Sequence, residues 1–281
     1  MSWVKSERQL EREALARKLR LRSATVAVIA ALVVFGVLYA VVVTSPGWPT
    51  FKSTFLSWSD AKAVLPDLLK GFWLNVKIFL IAEPLILVVG VIVAVIRSTT
   101  AAAVFPLRLI AVVYTDLFRG LPTILVVMLL AFGMPALQLT GMPNSLTFWS
   151  IVALVLSYGA YVAEVFRAGI DSVHPSQLAS AQSLGLSHAQ TMYDVILPQA
   201  TRRVIPPLLN DFISLQKDTA LVVVVGLFDI TGTASDTTNF TFNFTPMVVA
   251  GLFFVALTVP LARFVDWLQR RARLREWGRT R

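Results

Sequence analysis

Long apolar runs alternate with short polar, charge-bearing segments along the whole chain, and most runs are close to the roughly 20 residues that a helix needs to cross a hydrocarbon core. The first run, Ala24 to Val43, follows a charged stretch in which Lys5, Arg8, Arg12, Arg17, Lys18, Arg20 and Arg22 stand against Glu7, Glu11 and Glu13. A Pro/Ser/Trp-rich segment over 44–70 comes next, with a short interfacial helix expected over Asp60 to Lys70. A second span is expected over Phe72 to Ile96, flanked by Arg97 and Arg108. The third run is interrupted by Asp116, Arg119, Gly120 and Pro122 before Thr123 to Phe132 resumes it, which predicts an interfacial entry followed by a span. The fourth, fifth and sixth spans are expected over Thr147 to Arg167, Val204 to Leu227 and Pro246 to Leu268.

Between the fourth and fifth runs lies the most polar internal stretch, Glu164 to Pro198, which is amphipathic and punctuated by Gly169 and Gly185. Pro175 suits a first helical turn. A helix from there to Leu184 would end at Gly185, which can take a left-handed cap. Ser187 and Gln190 form a capping-box pattern that starts a second helix, expected to stop at Pro198. The prediction is a short, rigid helix-turn-helix projecting from the membrane, of a size that a partner can grip.

Composition agrees with an all-α, multi-pass membrane protein: 56% of the residues are hydrophobic and the mean hydropathy is +0.72. The net charge of +9 crowds at the two ends of the chain, as on the cytoplasmic flanks of spans, so nucleic acid is not the expected partner. Six spans with both termini in the cytoplasm also place the polar loop there. The N-terminal run is read as an uncleaved span, because it is span-length and Thr44-Ser45-Pro46 lacks a small-x-small cleavage pattern. The chain has no cysteine, and its two histidines, His174 and His188, both sit in the loop, so no metal site is expected. No glycine precedes a lysine, and neither a Gly-x-Ser-x-Gly elbow nor a His-Glu-x-x-His pair occurs. Enzymatic chemistry therefore has no sequence support.

Several ordered motifs carry a resemblance. Ala179-Ser180-Ala181, three residues, Gly185, nine residues and Val195-Ile196-Leu197-Pro198 keep the spacing of the cytoplasmic coupling loop of ABC-importer permeases. Glu164-Val165-Phe166-Arg167, Gln177, Phe118-Arg119-Gly120-Leu121-Pro122, Asn210 and Lys217-Asp218-Thr219-Ala220-Leu221 are similar to the polar amino acid branch of that family. The resemblance covers about residues 71–268. It implies a type I ABC importer transmembrane domain, a five-span core, with one extra N-terminal span and outer segment over 1–70 and a basic tail over 269–281. It also implies a coupling loop, 169–200, in which Ser176, Gln177, Ala179, Ser180, Ala181, Gly185, Leu197 and Pro198 meet an ATPase. By the same resemblance the partners are two ABC ATPase subunits carrying ATP and Mg, a second permease subunit, an extracytoplasmic solute-binding protein, an amino acid substrate and membrane lipid. The chain itself would bind no cofactor, and its location would be the bacterial inner membrane. Three positions depart from the family pattern: Ala179 replaces the triplet glutamate, Ser176 a glycine and Leu121 a threonine. The first removes a carboxylate that in the family helps hold the loop.

Charged residues within apolar runs are the other candidates. Glu83 lies mid-span before Pro84, where an ionised carboxylate costs roughly 2.5 to 3.5 kcal/mol. It reads either as a pathway residue for a substrate ammonium or as a structural residue at a kink. Glu164 and Arg167, and likewise Asp116 and Arg119, have ion-pair spacing on one helix face and are also candidate gate braces. Lys217 and Asp218 are expected to face the bundle interior or a subunit interface, and Asn210 to pack helices by hydrogen bonding. Lys77 is expected to snorkel. Two other readings compete: a secondary transporter using Glu83, Lys217 and Asp218 without ATP, and a regulatory membrane subunit.

Overall fold

The computed structural model describes residues 6–99, 101–187 and 190–277, and these residues form helices joined by short turns, with no strand among them. They fall into two units, 1–56 and 57–281. The first unit contains α1, Glu7–Val43, and α2, Trp48–Phe55. α1 is one continuous 37-residue helix, so the charged stretch before the first apolar run is part of the same rod as the run itself. Its apolar side chains lie exposed along its length, as suits a helix solvated by lipid. In α2 the rings of Trp48, Phe51 and Phe55 stack in sequence at 5.7 and 4.9 Å.

The second unit is built on α3, Trp58–Ser98; α4, Phe105–Gly120; α5, Thr123–Ala136; and α6, Leu146–Asp171. It continues through α7, Pro175–Ser183; α8, Leu197–Asp218; α9, Ile230–Thr241; and α10, Thr245–Trp277. α6 is central. Its small residues Ser157, Gly159, Ala160 and Ala163 are buried and let neighbouring helices approach closely, the way helices pack when lipid is as apolar as their side chains. The core joins Ile78, Ala82 and Ile86 of α3, Val126, Val127 and Ala131 of α5, Leu154, Tyr158 and Val162 of α6 and Leu215 of α8. A smaller cluster joins Val64 and Leu68 of α3 to Ile230 and Ala234 of α9 and Ala250 of α10.

The expected interfacial helix over Asp60–Lys70 and the span over Phe72–Ile96 are one 41-residue helix, α3. Gly71 does not break it, because the glycine is used for close packing: a Cβ there would lie 2.6 Å from the Asp229 carbonyl carbon. Asn75, one turn on, completes a buried latch. Its amide donates to Asp229 at 2.9 Å and to Thr219 at 3.3 Å, and its carbonyl oxygen accepts from Ile230 N at 3.1 Å. Asp229 in turn caps α9 through Gly232 N at 2.8 Å. Burial pushes the Asp229 carboxyl up from its ordinary range, opposed by the hydrogen bonds from Asn75 and Gly232. Because the neighbour of Gly71 is rigid backbone, Gly71→Ala is expected to destabilise the protein by about 1–3 kcal/mol. Thermal unfolding of the purified protein in detergent measures this, and an unchanged midpoint would contradict the close packing.

Among the described residues four stretches are long and apolar enough to cross a membrane: α1, Trp48–Ser98 with its long helix α3, α6, and Thr245–Arg271 of α10. α4 and α5 meet at 106° and together make a fifth, which matches the expected interrupted entry. Pro122 and the β-extended Leu121 make that corner. The stretch expected as the fifth span, Val204–Leu227, is different in kind. It is the second half of α8 followed by a tight 3-10 helix, Thr219–Val225, that ends on Gly226 in the left-handed region at φ +80°. Asn210, Asp211, Gln216, Lys217 and Asp218 interrupt its apolar face. Gln216 is buried and accepts a hydrogen bond from Thr258 of α10 at 2.8 Å, so this amide is met by protein instead of lipid.

Candidate functional site

The loop after α6 folds as two helical arms around one turn. His174 caps α7, its Nδ1 accepting from Ser176 N at 3.2 Å and lying 2.7 Å from Ser176 Oγ, and Pro175 fills the first turn. At the other end Gly185 N donates to Gln182 O at 2.9 Å and Leu186 N to Ala181 O at 3.2 Å. That pair of bonds is a Schellman cap, and it requires the left-handed Gly185, at φ +76°. Ser187 and Gln190 then form the expected capping box, with reciprocal bonds of 2.9 and 3.3 Å. His188 lies outside the described residues.

The second arm does not stop at Pro198. A π-helical turn, Thr191–Ile196, leads into α8, and Pro198 sits in the first turn of that helix. The wider turn accommodates a proline that lacks an N–H and would otherwise clash with the carbonyl four residues back. Val173, Ile196 and Ala200 are buried together beneath the loop, with Ile170 and Met192 against them; α7 packs on the π-helical turn, and its Ala181 is buried. Arg203 of α8 donates to Ser172 O and ties the entry of the loop to its exit.

Of the sequence-expected coupling residues, Ser176, Gln177, Ala179, Ser180, Gly185, Leu197 and Pro198 are exposed, and Ala181 is buried as an anchor. Sequence reading missed the apolar part of this surface. Leu184 is 80% exposed and Tyr193 74%, about twice the exposure of Leu178 and Leu197 in the same loop, at 38% and 39%. Ala179 contributes only its carbonyl, which accepts from Ser183 Oγ at 2.9 Å.

Above the loop, Glu164 gathers three arginines. Arg97 at the end of α3 reaches it at 2.8 Å, Arg119 at the end of α4 lies at 3.6 Å, and Arg167 on its own helix donates to it directly. Arg97 also donates to buried Thr115 at 2.9 Å, and Arg167 pairs with Asp171 at 2.7 Å. The Arg97 and Glu164 side chains are only 12% and 21% exposed, so this pair is largely screened from water. The expected Glu164–Arg167 pair is present. The Asp116–Arg119 pair is not formed: Asp116 is exposed, and Arg119 turns to the richer carboxylate, with Tyr161 OH donating to its carbonyl at 3.3 Å. Arg97 had only the signal of a flanking charge, since its partner is 67 residues away.

Deeper in the bundle, Glu83 of α3 is half-buried and close enough to Asp211 of α8 to interact with it electrostatically. One oxygen of Asp211 is buried without a hydrogen-bond partner. Asp218 accepts from Tyr158 OH at 2.8 Å. Lys217 and Asn210, by contrast, are exposed, and Asn210 makes no hydrogen bond within the described residues. Lys77 places its ammonium 5.7 Å from the centre of the Trp73 ring, an exposed cation–π contact in place of free snorkelling. Among the described residues no cluster of His, Cys, Asp and Glu is arranged to hold a metal ion.

The loop, its spacing and its seat on the bundle point in one direction, and comparison with known proteins decides it. Residues 86–274 match the family described as binding-protein-dependent transport system inner membrane component. The chain belongs to this family. It is therefore a permease component of a binding-protein-dependent ABC system, a multi-pass inner-membrane protein that works with an ATPase and a substrate-binding protein and is not itself an enzyme. The arginine transport system permease protein ArtQ of Bacillus subtilis is 33% identical over 207 residues, covering 73% of this chain and 92% of that protein. The glutamate/aspartate import permease protein GltK of Escherichia coli O6:H1 is 32% identical over 220 residues, covering 76% and 97%. A crystal structure of an amino acid ABC transporter superposes with a TM-score of 0.69 at 28% identity, covering 76% of this chain and 98% of that one. An inward-facing structure of the MetNI methionine transporter shares the fold, with a TM-score of 0.59 at 18% identity.

Proposed function

We propose that this permease forms the translocation pathway of an ATP-driven importer for polar amino acids, and that it couples to its ATPase through the surface 176–185. The observation that carries the reading is the loop itself: a short helix closed by the His174 cap and a Schellman cap, a second arm opened by a capping box, and Leu184 and Tyr193 presented outward. Such a unit transmits a push as a rigid lever, since its ends are fixed by hydrogen bonds and its underside by packing. Two ATPase subunits holding ATP and Mg would press on the loops of two permease subunits, identical or related. An extracytoplasmic solute-binding protein would deliver the substrate. Residues 71–268 form the transport core in this reading, with 1–70 and 269–281 as additions and both termini in the cytoplasm.

The Glu164 hub suits a hinge between lever and pathway. It joins the ends of α3 and α4 to α6, the helix that runs directly into the loop. Closure of the ATPases would rock these helices together, exchanging inward-open for outward-open states by alternating access. Relatives named for arginine, glutamine and glutamate or aspartate support a substrate with an amino acid backbone. Glu83 and Asp211 interact electrostatically, and a substrate ammonium between them would relieve their repulsion.

ATP-driven uptake of labelled amino acids by proteoliposomes holding the whole transporter tests the reading. Glu83→Gln is expected to lower uptake about tenfold, the worth of one charge-assisted hydrogen bond, while the assembled complex is recovered in normal yield. Unchanged uptake and specificity would return Glu83 to a structural role, and uptake that needs no ATP would overturn the importer reading.

A further inference from the structure

The charge pattern of α1 has a place in a membrane that transport does not use. Its acids, Glu7, Glu11 and Glu13, are confined to the first two turns, and no Asp or Glu follows until Asp60. Arg17, Lys18, Arg20 and Arg22 fall within six residues immediately before the apolar run. Residues 17, 18, 21, 22, 25 and 26 recur at the spacing of one helical face. In the structure the exposed side chains of Arg17, Lys18, Leu21, Arg22, Thr25 and Val26 line an open, shallow groove on that face. One end is cationic, with two guanidinium forks and an ammonium, and the other is apolar. The Thr25 hydroxyl is already satisfied by Leu21 O at 2.9 Å, so it adds no competing donor.

We propose that this face binds the phosphate headgroup of an anionic membrane phospholipid, whose acyl chain follows Leu21 and Val26 toward the bilayer centre. The ten residues from Arg17 to Val26 rise about 14 Å along the axis, which takes the face from the headgroup layer into the hydrocarbon. Arginine forks match phosphate oxygens two at a time, and the lysine adds a point charge. Free phosphate meets the same cations but gains nothing from the apolar end, and salt screens it at an exposed surface. The mixed character of the groove therefore selects a lipid over a soluble anion.

The test uses the full-length protein purified in mild detergent, with bound lipid counted by native mass spectrometry during titration with phosphatidylglycerol or phosphatidylcholine. Wild-type protein is expected to retain phosphatidylglycerol at least about tenfold better, and millimolar inorganic phosphate is expected not to displace it. Combining Arg17→Gln, Lys18→Gln and Arg22→Gln should abolish most of that preference, whereas Arg8→Gln with Arg12→Gln should leave it in place. Equal retention of the two lipids, displacement by inorganic phosphate, an unaffected triple variant, or equal loss in the Arg8 and Arg12 control would each overturn the proposal. The wild-type comparison stands even where the triple variant inserts poorly.

Discussion

Replacing Gly185 with valine is expected to lower ATP-driven uptake by an order of magnitude or more, while the protein still inserts and still recruits its ATPase. At φ +76° an L-residue brings its Cβ against the backbone, at a cost of about 1–2 kcal/mol, and β-branching makes that conformation a marked outlier. Beyond Gly185 and its two chain neighbours no heavy atom lies within 4 Å of where the Cβ would sit, so the cost is local and conformational and not a tertiary collision. The chain relieves it by giving up the Schellman bonds from Gly185 and Leu186, which loosens the end of α7 at the point where force is transmitted. Hydrolysis then continues with little transport. Gly185→Asn separates this cause from general damage, because asparagine tolerates the left-handed region and should retain most of the uptake. Parallel assays of hydrolysis and uptake in proteoliposomes give the ratio, and full coupling in the valine variant would show that the cap does not matter.

Glu164→Ala is expected to be the most destabilising single change among the charged residues, by about 2–3 kcal/mol. Removing one partner of a buried ion pair costs about 3–5 kcal/mol because the other charge is left without compensation. Arg97, at 12% exposure, is in that position, while Arg119 and Arg167 reach enough water to soften the loss. Glu164→Gln keeps an acceptor and should lose less. The diagnostic is a double-mutant cycle with Arg97→Gln: if the two residues act as a pair, the combined variant is clearly more stable than the sum of the single losses predicts. Additive losses, read from unfolding midpoints in detergent, would mean that the hub does not hold α3 to α6.

The polar loop after α6 was legible in the sequence because each of its devices is local. Pro175 fills a first turn, and Gly185 and the Ser187–Gln190 pair make their hydrogen bonds within a few residues of themselves; the structure forms each of these. The latch at Asn75 and the hub at Glu164 were not legible. Their partners lie 154 and 67 residues away, and a lone polar residue in an apolar run does not say which helix will meet it. Gly71 invited a helix break for the same reason, since only the tertiary contact with Asp229 shows that its missing side chain is used for packing. The expected stop at Pro198 failed because local proline rules assume an α-helical turn before it, and the chain supplies a π-helical one. For α8, hydropathy alone does not show that Gln216 and Asp218 are met by Thr258 and Tyr158 of other helices.

The central claim, that this permease works through a separate ATPase held at the loop 176–185, is tested most directly by purifying the tagged protein from its native membrane in mild detergent and identifying its companions by mass spectrometry. An ABC ATPase is expected to co-purify, together with a second permease chain or a solute-binding protein, and to be lost when Leu184 and Tyr193 are both changed to aspartate. Recovery of the protein without an ATPase, with substrate flux in liposomes that contain no ATP, would contradict the claim.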